Sequence, residues 1–159
     1  MIKLKWEMHH VKRMSIQKAQ IENVFRRNSG LFQEAGVEER DVLPEELLEY
    51  FAGNTPTGDV TTLDDVISNR WLLLHEVVEL KHLKLKGIII TRDVLWDRYV
   101  DVLEAHIAAT AVELKMALKY DDKDWIRSRV KLIPSWLEDP EMPENLRAAC
   151  KKLMEHYTL

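Results

Sequence analysis

Two long segments with the periodicity of α-helices, joined by a short break, most constrain what this chain can fold into. Apolar residues recur every three or four positions from about residue 62 to 86, and again from about 92 to 120. Thr61 or Thr62 is the expected N-cap of the first segment, and Gly87 predicts its end, because glycine favours the left-handed turn after a helix. The short connection predicts that the two helices pack antiparallel, as a hairpin.

The N-terminus departs from this helical periodicity. Residues 2–8 alternate between apolar and charged side chains, which is the period of a half-buried strand. A lone strand needs a partner, which either the Ile88 to Ile90 segment or a partner chain would supply. We therefore expect a mainly all-α helical bundle built on the hairpin, with at most a small two-stranded β pairing.

Length and composition predict one helical domain over residues 1–159, because a chain this long can bury a sufficient core. The single cysteine, Cys150, excludes an internal disulfide and fits a reducing compartment. No uncharged run approaches the roughly 20 residues of a membrane span, and a net charge of -4 gives no basic footprint for nucleic acid. We expect a cytoplasmic protein without a membrane or nucleic-acid partner.

Histidine and glutamate side chains share one stripe of the first long helix. At 100° per residue, His75, Glu79 and His82 fall within an arc of about 60°, at the border of the apolar face. Neutral imidazole and carboxylate groups both offer lone pairs to a divalent ion. His75 and His82 are about 10.5 Å apart along the helix axis, so a second helix has to complete a site.

The second long helix carries two polar residues on its apolar face, His106 and Glu113. Folding the hairpin about residue 89 places position 75 level with about 103, which brings His106 within one turn of His75 and Tyr99 close to Glu79. Glu113 would lie opposite position 65. A polar group on an apolar face requires a partner, so both residues call for a specific explanation.

These positions predict a site for a divalent metal, zinc, manganese or iron, with His75, Glu79, His82 and His106 as its ligands. Glu76 or Glu79 would accept the proton of a metal-bound water. The opposing interpretation is that the stripe is the solvated border of a long helix and that His106 is an ordinary core histidine.

The stretch WLLLHEVVEL resembles the metal-binding helix of HD-domain phosphohydrolases, in which an apolar run leads to a His-Asp doublet. His75 and Glu76 match that doublet, with Glu in place of Asp. The upstream histidine of the family would be His9 or His10, more than 60 residues earlier. The resemblance implies an all-α enzyme that hydrolyses a nucleotide or another phosphate ester.

The E-x-x-H step of Glu79 and His82 also resembles a ligand pair of ferritin-like di-iron bundles. Those bundles need a second E-x-x-H step, where this chain has Glu104 and His106 at a spacing of two. The resemblance implies a di-metal oxidase or a metal store.

Two pairs of acidic residues resemble the magnesium-binding helices of MazG-type nucleotide pyrophosphohydrolases. Glu76 and Glu79 match an E-x-x-E step, whereas Asp101 and Glu104 reverse the family's E-x-x-D step.

We therefore expect a metal-dependent phosphohydrolase. The alternatives left open are a non-catalytic helical protein that interacts with a partner chain, including a homo-oligomer, and a ferritin-like di-metal protein.

Overall fold

The chain folds into α-helices. The computed structural model describes the backbone of residues 2–56 and 60–159, and side chains from residue 7 onward. Within those ranges the helices are α1 (Ile2–Arg27), α2 (Ser29–Glu34), α3 (Pro44–Ala52), α4 (Leu63–Ser68), α5 (Arg70–Leu85), α6 (Val94–Asp97), α7 (Tyr99–Lys119), α8 (Lys123–Val130), α9 (Ile133–Trp136) and α10 (Glu144–Tyr157). The all-α class is as predicted, and none of the described helices is long and apolar enough to cross a membrane.

The predicted strand at residues 2–8 is wrong, because these residues form the start of α1. The described residues contain no strand, and Ile88 to Ile90 lie in an irregular connection. Lysine, glutamate, leucine and methionine dominate the segment and are good helix formers, and an isolated pair of strands has little stability in water. Helix propensity therefore outweighs the alternating pattern.

The predicted helix at 62–86 is two helices, α4 and α5, separated at Asn69. Thr62 caps α4, since its Oγ1 accepts a hydrogen bond from the backbone N–H of Asp65 at 3.2 Å. At Asn69 the backbone is extended, and Oδ1 accepts hydrogen bonds from the N–H groups of Trp71 at 2.9 Å and Leu72 at 3.1 Å. Asparagine is a favoured N-cap, so its side chain starts a new helix where the apolar periodicity predicts a continuous one.

Gly87 follows the end of α5, as predicted. Its N–H bonds the carbonyl of Lys84 at 2.9 Å, and its φ of 78° lets the N–H of Ile88 reach the carbonyl of Leu83 at 3.1 Å. These two bonds form a Schellman motif, and the side chains of Ile88 and Leu83 are both buried.

The predicted helix at 92–120 is also interrupted, at Arg98, which separates the short α6 from α7. The segment between α5 and α7 is therefore longer than the turn at 87–91 that the sequence predicts. Helices α5 and α7 lie side by side. Lys86 contacts Asp101 at 2.6 Å near one end, and His75 contacts Glu113 at 2.7 Å nearer the other, so the two helices run in opposite directions.

A turn after α7 directs α8 back against it. The N–H of Asp121 bonds the carbonyl of Leu118, and the φ of 57° at Asp121 lets the N–H of Asp122 bond the carbonyl of Ala117. The Asp122 carboxylate then caps α8 and accepts a hydrogen bond from Trp71 Nε1 at 2.8 Å. One face of α8 is thereby fixed against α5 and α7.

Two groups of buried side chains form the interior. The larger surrounds α5 and includes Leu74 and Leu114, both fully buried. The smaller lies between α7, α9 and α10 and includes Ile107, Ile133 and Cys150. The site described below lies where α5 and α7 meet.

Gly53, at the end of α3, packs against the backbone of Arg92. A Cβ atom at position 53 would lie 1.8 Å from the Arg92 carbonyl oxygen. We expect Gly53→Ala to lower the free energy of unfolding by about 1–3 kcal/mol, because backbone has to shift to accommodate the methyl group. Urea unfolding measures this change.

Gly30→Ala is the matched control. Gly30 lies within α2, and an added Cβ there meets no atom within 4 Å. We expect the control to be as stable as the wild type or more so, since alanine favours a helix over glycine by about 0.5–1 kcal/mol. Equal stability of the two variants would contradict the close packing at Gly53.

Candidate metal centre

His75 occupies the buried face of α5 that packs on α7, where 2% of its side chain is exposed. Its Nδ1 lies 2.7 Å from Glu113 Oε2 on α7. Its Nε2 lies 3.0 Å from Glu79 Oε2, one turn further along α5. The imidazole ring is therefore held between two carboxylates that are themselves buried.

His106 brings a third donor atom to the same point. Its Nδ1 lies 3.0 Å from His75 Nε2 and 3.2 Å from Glu79 Oε2. The three atoms His75 Nε2, Glu79 Oε2 and His106 Nδ1 form a triangle with sides of 3.0 to 3.2 Å, which we call the donor triangle. Two helices contribute to it, so it exists only when α5 and α7 pack in this register.

The structure brings together three of the predicted metal ligands, His75, Glu79 and His106, and leaves two predicted site residues outside the donor triangle. His82 Nε2 lies 3.8 Å from Glu104 Oε1. Glu76 is half-buried and does not belong to the group of donor residues. Roles for His82 and Glu76 in metal binding or proton transfer stay predictions.

A tyrosine that the sequence does not single out orients Glu79. The hydroxyl of Tyr50, on α3, donates a hydrogen bond to Glu79 Oε1, which leaves Oε2 for the donor triangle. The sequence predicts Tyr99 in this place, but the Tyr99 hydroxyl bonds Asp139 instead. No local pattern identifies Tyr50, because its position depends on how α3 packs against α5.

Glu113 is held by α8. Its Oε1 accepts a hydrogen bond from Trp125 Nε1 at 2.7 Å and lies 2.7 Å from Arg129 Nε. Its Oε2 accepts a hydrogen bond from Arg129 Nη2 at 3.2 Å. The prediction that Glu113 lies opposite position 65 is wrong, because α7 begins later than predicted and the register of the two helices shifts.

Buried charges of opposite sign shift the pKa values in this group. Burial lowers the pKa of His75, but its contacts with Glu113 and Glu79 outweigh burial and raise that pKa to about 10. Burial raises the pKa of the Glu79 carboxyl, but contacts with His106 and His75 outweigh burial and lower that pKa below its usual value. Burial also raises the pKa of the Glu113 carboxyl, and contacts with His75 and Arg129 lower it in the same way. A proton on His75 thus balances the charge of Glu79, while Arg129 balances Glu113.

The three atoms of the donor triangle need a proton or a metal cation between them. In neutral His75 with the proton on Nδ1, the Nδ1–H donates a hydrogen bond to Glu113 and Nε2 carries a lone pair. That lone pair faces Glu79 Oε2 and, when the proton of neutral His106 is on Nε2, a third lone pair on His106 Nδ1; three such atoms about 3 Å apart repel one another. A proton on His106 Nδ1, a second proton on His75 or a metal cation removes this repulsion.

The size of the donor triangle suits a metal ion. With metal–ligand distances of about 2.1 Å, adjacent donors lie about 3.0 Å apart at a 90° angle and about 3.4 Å apart at a tetrahedral angle. The sides of 3.0 to 3.2 Å are closer to the 90° arrangement. Two imidazoles and one carboxylate on one face are a ligand set typical of iron, manganese and zinc sites.

Access to the donor triangle lies on the side of His106. Its side chain is 27% exposed, against 5% for Glu79 and 2% for His75. The Trp136 ring, on α9, stands edge-on to the His106 ring with centroids 4.5 Å apart. The indole therefore packs against the most exposed of the three donor residues.

Comparison of the chain with protein-family models, with curated proteins and with solved structures finds no match.

The pairing of Glu113 with Arg129 yields a prediction for stability. Arg129→Met should lower the free energy of unfolding by about 3 kcal/mol, because it removes one partner of a buried ion pair. The double variant Arg129→Met, Glu113→Gln should lose less than the sum of the two single losses. Urea unfolding of the four proteins measures the coupling.

Arg127→Met is the control, because Arg127 lies on the same helix but pairs with the exposed Asp124. We expect its effect to stay within about 0.5 kcal/mol. Additive losses in the double variant would show that Arg129 and Glu113 do not interact.

Proposed function

We propose that this protein binds one divalent metal ion, zinc, manganese or iron, through His75 Nε2, Glu79 Oε2 and His106 Nδ1. The observation that carries the proposal is the donor triangle, in which three lone-pair donors from two helices converge within 3.0 to 3.2 Å. A buried arrangement of this kind repels itself unless a cation or proton occupies its centre.

The contacts behind the ligands support the same proposal. Histidine ligands of metals usually donate their second ring N–H to a carboxylate, which fixes the tautomer and makes the metal-facing nitrogen a better donor. Glu113 stands in this position behind His75, and Trp125 and Arg129 hold Glu113. Tyr50 plays a similar part behind Glu79.

Three protein ligands leave at least one coordination position for water, which is the pattern of a catalytic rather than a structural zinc site. A bound divalent ion lowers the pKa of such a water and supplies hydroxide near neutral pH. We therefore propose a hydrolase, with a phosphate ester or nucleotide as its substrate. Both Glu79 oxygens have partners, so the ion itself, rather than Glu79, would acidify the water.

The ligand set differs from those of the families that the sequence resembles. An HD-type doublet would use Glu76, and a ferritin-like step would use His82, but neither residue joins the donor triangle. Asp101 and Glu104, the second acidic pair of the MazG-type pattern, both contact Lys86. The proposal therefore rests on the ligand set of two histidines and one glutamate.

The alternative is a non-catalytic helical protein that interacts with a partner chain. One observation favours it: both ring nitrogens of His75 lie within 3.0 Å of a carboxylate oxygen, so a doubly protonated His75 would make the buried group neutral without a metal. In this alternative the group would only fix the register of α5 against α7.

Metal binding separates the two proposals. We expect purified untagged protein to bind one equivalent of zinc, manganese or iron(II) in isothermal titration calorimetry. At a free metal concentration about 100 times Kd, binding should raise the free energy of unfolding by about 2.7 kcal/mol. His106→Ala should abolish both effects, because it removes one of three ligands.

His82→Ala is the matched control, since His82 lies on α5 outside the donor triangle. It should bind metal as the wild type does. If the wild-type protein binds none of the three metals and its stability does not change when they are added, the metal proposal is wrong. The non-catalytic alternative then remains.

Hydrolysis tests the catalytic part of the proposal. We expect metal-loaded protein to release p-nitrophenol from a p-nitrophenyl phosphate mono- or diester, and the His106→Ala variant to release none above background. Stoichiometric metal with no turnover of either ester would overturn the phosphohydrolase assignment and keep the metal site.

A further inference from the structure

We infer that the metal ion takes one small monoanionic ligand, or the monoanionic group of a substrate, which reaches it past Trp136. This inference rests on the proposed metal site. It adds the charge of the external ligand and the path by which that ligand enters.

The charge follows from the groups that contact the donor triangle. Glu79 and Glu113 each contribute one negative charge, and Arg129 contributes one positive charge to the same hydrogen-bonded group. A metal ion on Nε2 displaces the second proton of His75, so the protein side then carries one net negative charge, and a divalent ion leaves the centre with one net positive charge. Because the group is buried, an uncompensated charge is costly, and one monoanion restores neutrality.

The direction from which the external ligand approaches follows from the burial of the three metal ligands. Glu79 directs Oε1 to Tyr50, and His75 directs Nδ1 to Glu113, so both ligands are enclosed on the sides away from the donor triangle. His106 is the one ligand with substantial exposure, 27% of its side chain. An external ligand therefore approaches along the His106 edge, where the Trp136 ring lies.

The size of the ligand follows from the packing of Trp136 beside His106, with ring centroids 4.5 Å apart. Two surface depressions of the described chain are lined by residues from 68–71 with 122–128 and by residues from 152–157, and neither includes a donor residue. The half-buried Trp136 lies on the four-residue helix α9 and would have to move for a bulky group to enter. Access therefore suits a small anion or a narrow anionic group.

The test uses protein loaded with cobalt(II), whose visible spectrum reports its ligands, and sodium azide as the probe. We expect azide to bind with a stoichiometry of one and to change the cobalt spectrum, and acetate to compete with it. Imidazole, which is neutral, should compete at least about tenfold less well than acetate, since it leaves the buried charge unbalanced.

Replacing Trp136 tests the path. In Trp136→Leu, stopped-flow mixing should show azide association at least about tenfold faster than in the wild type, because the ring no longer borders the edge. Cobalt affinity should not change. Trp96→Leu is the matched control, since Trp96 is 57% exposed and its Nε1 bonds the Asn54 carbonyl, and azide association there should stay at the wild-type rate.

Each result has a separate meaning. Cobalt that binds, with a spectrum that neither azide nor acetate alters, would overturn this inference and leave the metal site in place. If azide associates with Trp136→Leu at the wild-type rate, the path past Trp136 is wrong and the monoanionic ligand remains. Failure of the wild-type protein to bind cobalt, zinc, manganese or iron(II) would overturn the proposed metal site itself.

Discussion

The position of His75 between Glu113 and Glu79 is the interaction on which the rest of the site depends. Its two ring nitrogens contact one carboxylate from α7 and one from α5. A one-turn shift of α7 along α5 would leave at least one buried carboxylate without its partner, and such a loss is costly in a low-dielectric interior. The imidazole therefore fixes the register in which His106 completes the donor triangle.

The contacts around this ring extend to four helices. Tyr50 reaches Glu79 from α3, and Trp125 and Arg129 reach Glu113 from α8. The turn at Asp121 places α8 where those two side chains can reach Glu113. The polar group is thus supported by side chains from α3 and α8, which hold the donor triangle in place. Such preorganisation is what metal sites require of the surrounding protein.

Only part of this arrangement could be predicted from the sequence. His75 and Glu79 share a helix, so their spacing alone predicts that they converge, and His106 follows once two apolar faces are packed antiparallel. Tyr50, Trp125 and Arg129 lie on helices whose packing no local pattern determines. The predicted register is wrong because Asn69 and Arg98 interrupt the helices, and apolar periodicity does not report such interruptions. At residues 2–8 the periodicity indicates a strand, whereas helix propensity and the lack of a partner strand favour a helix.

X-ray absorption spectroscopy of the protein loaded with one equivalent of zinc tests directly whether the ion binds at the donor triangle. We expect nitrogen and oxygen ligands at about 2.1 Å, together with the outer-shell scattering of two imidazole rings. A spectrum with oxygen ligands alone and no imidazole scattering would mean that the ion does not bind at the donor triangle.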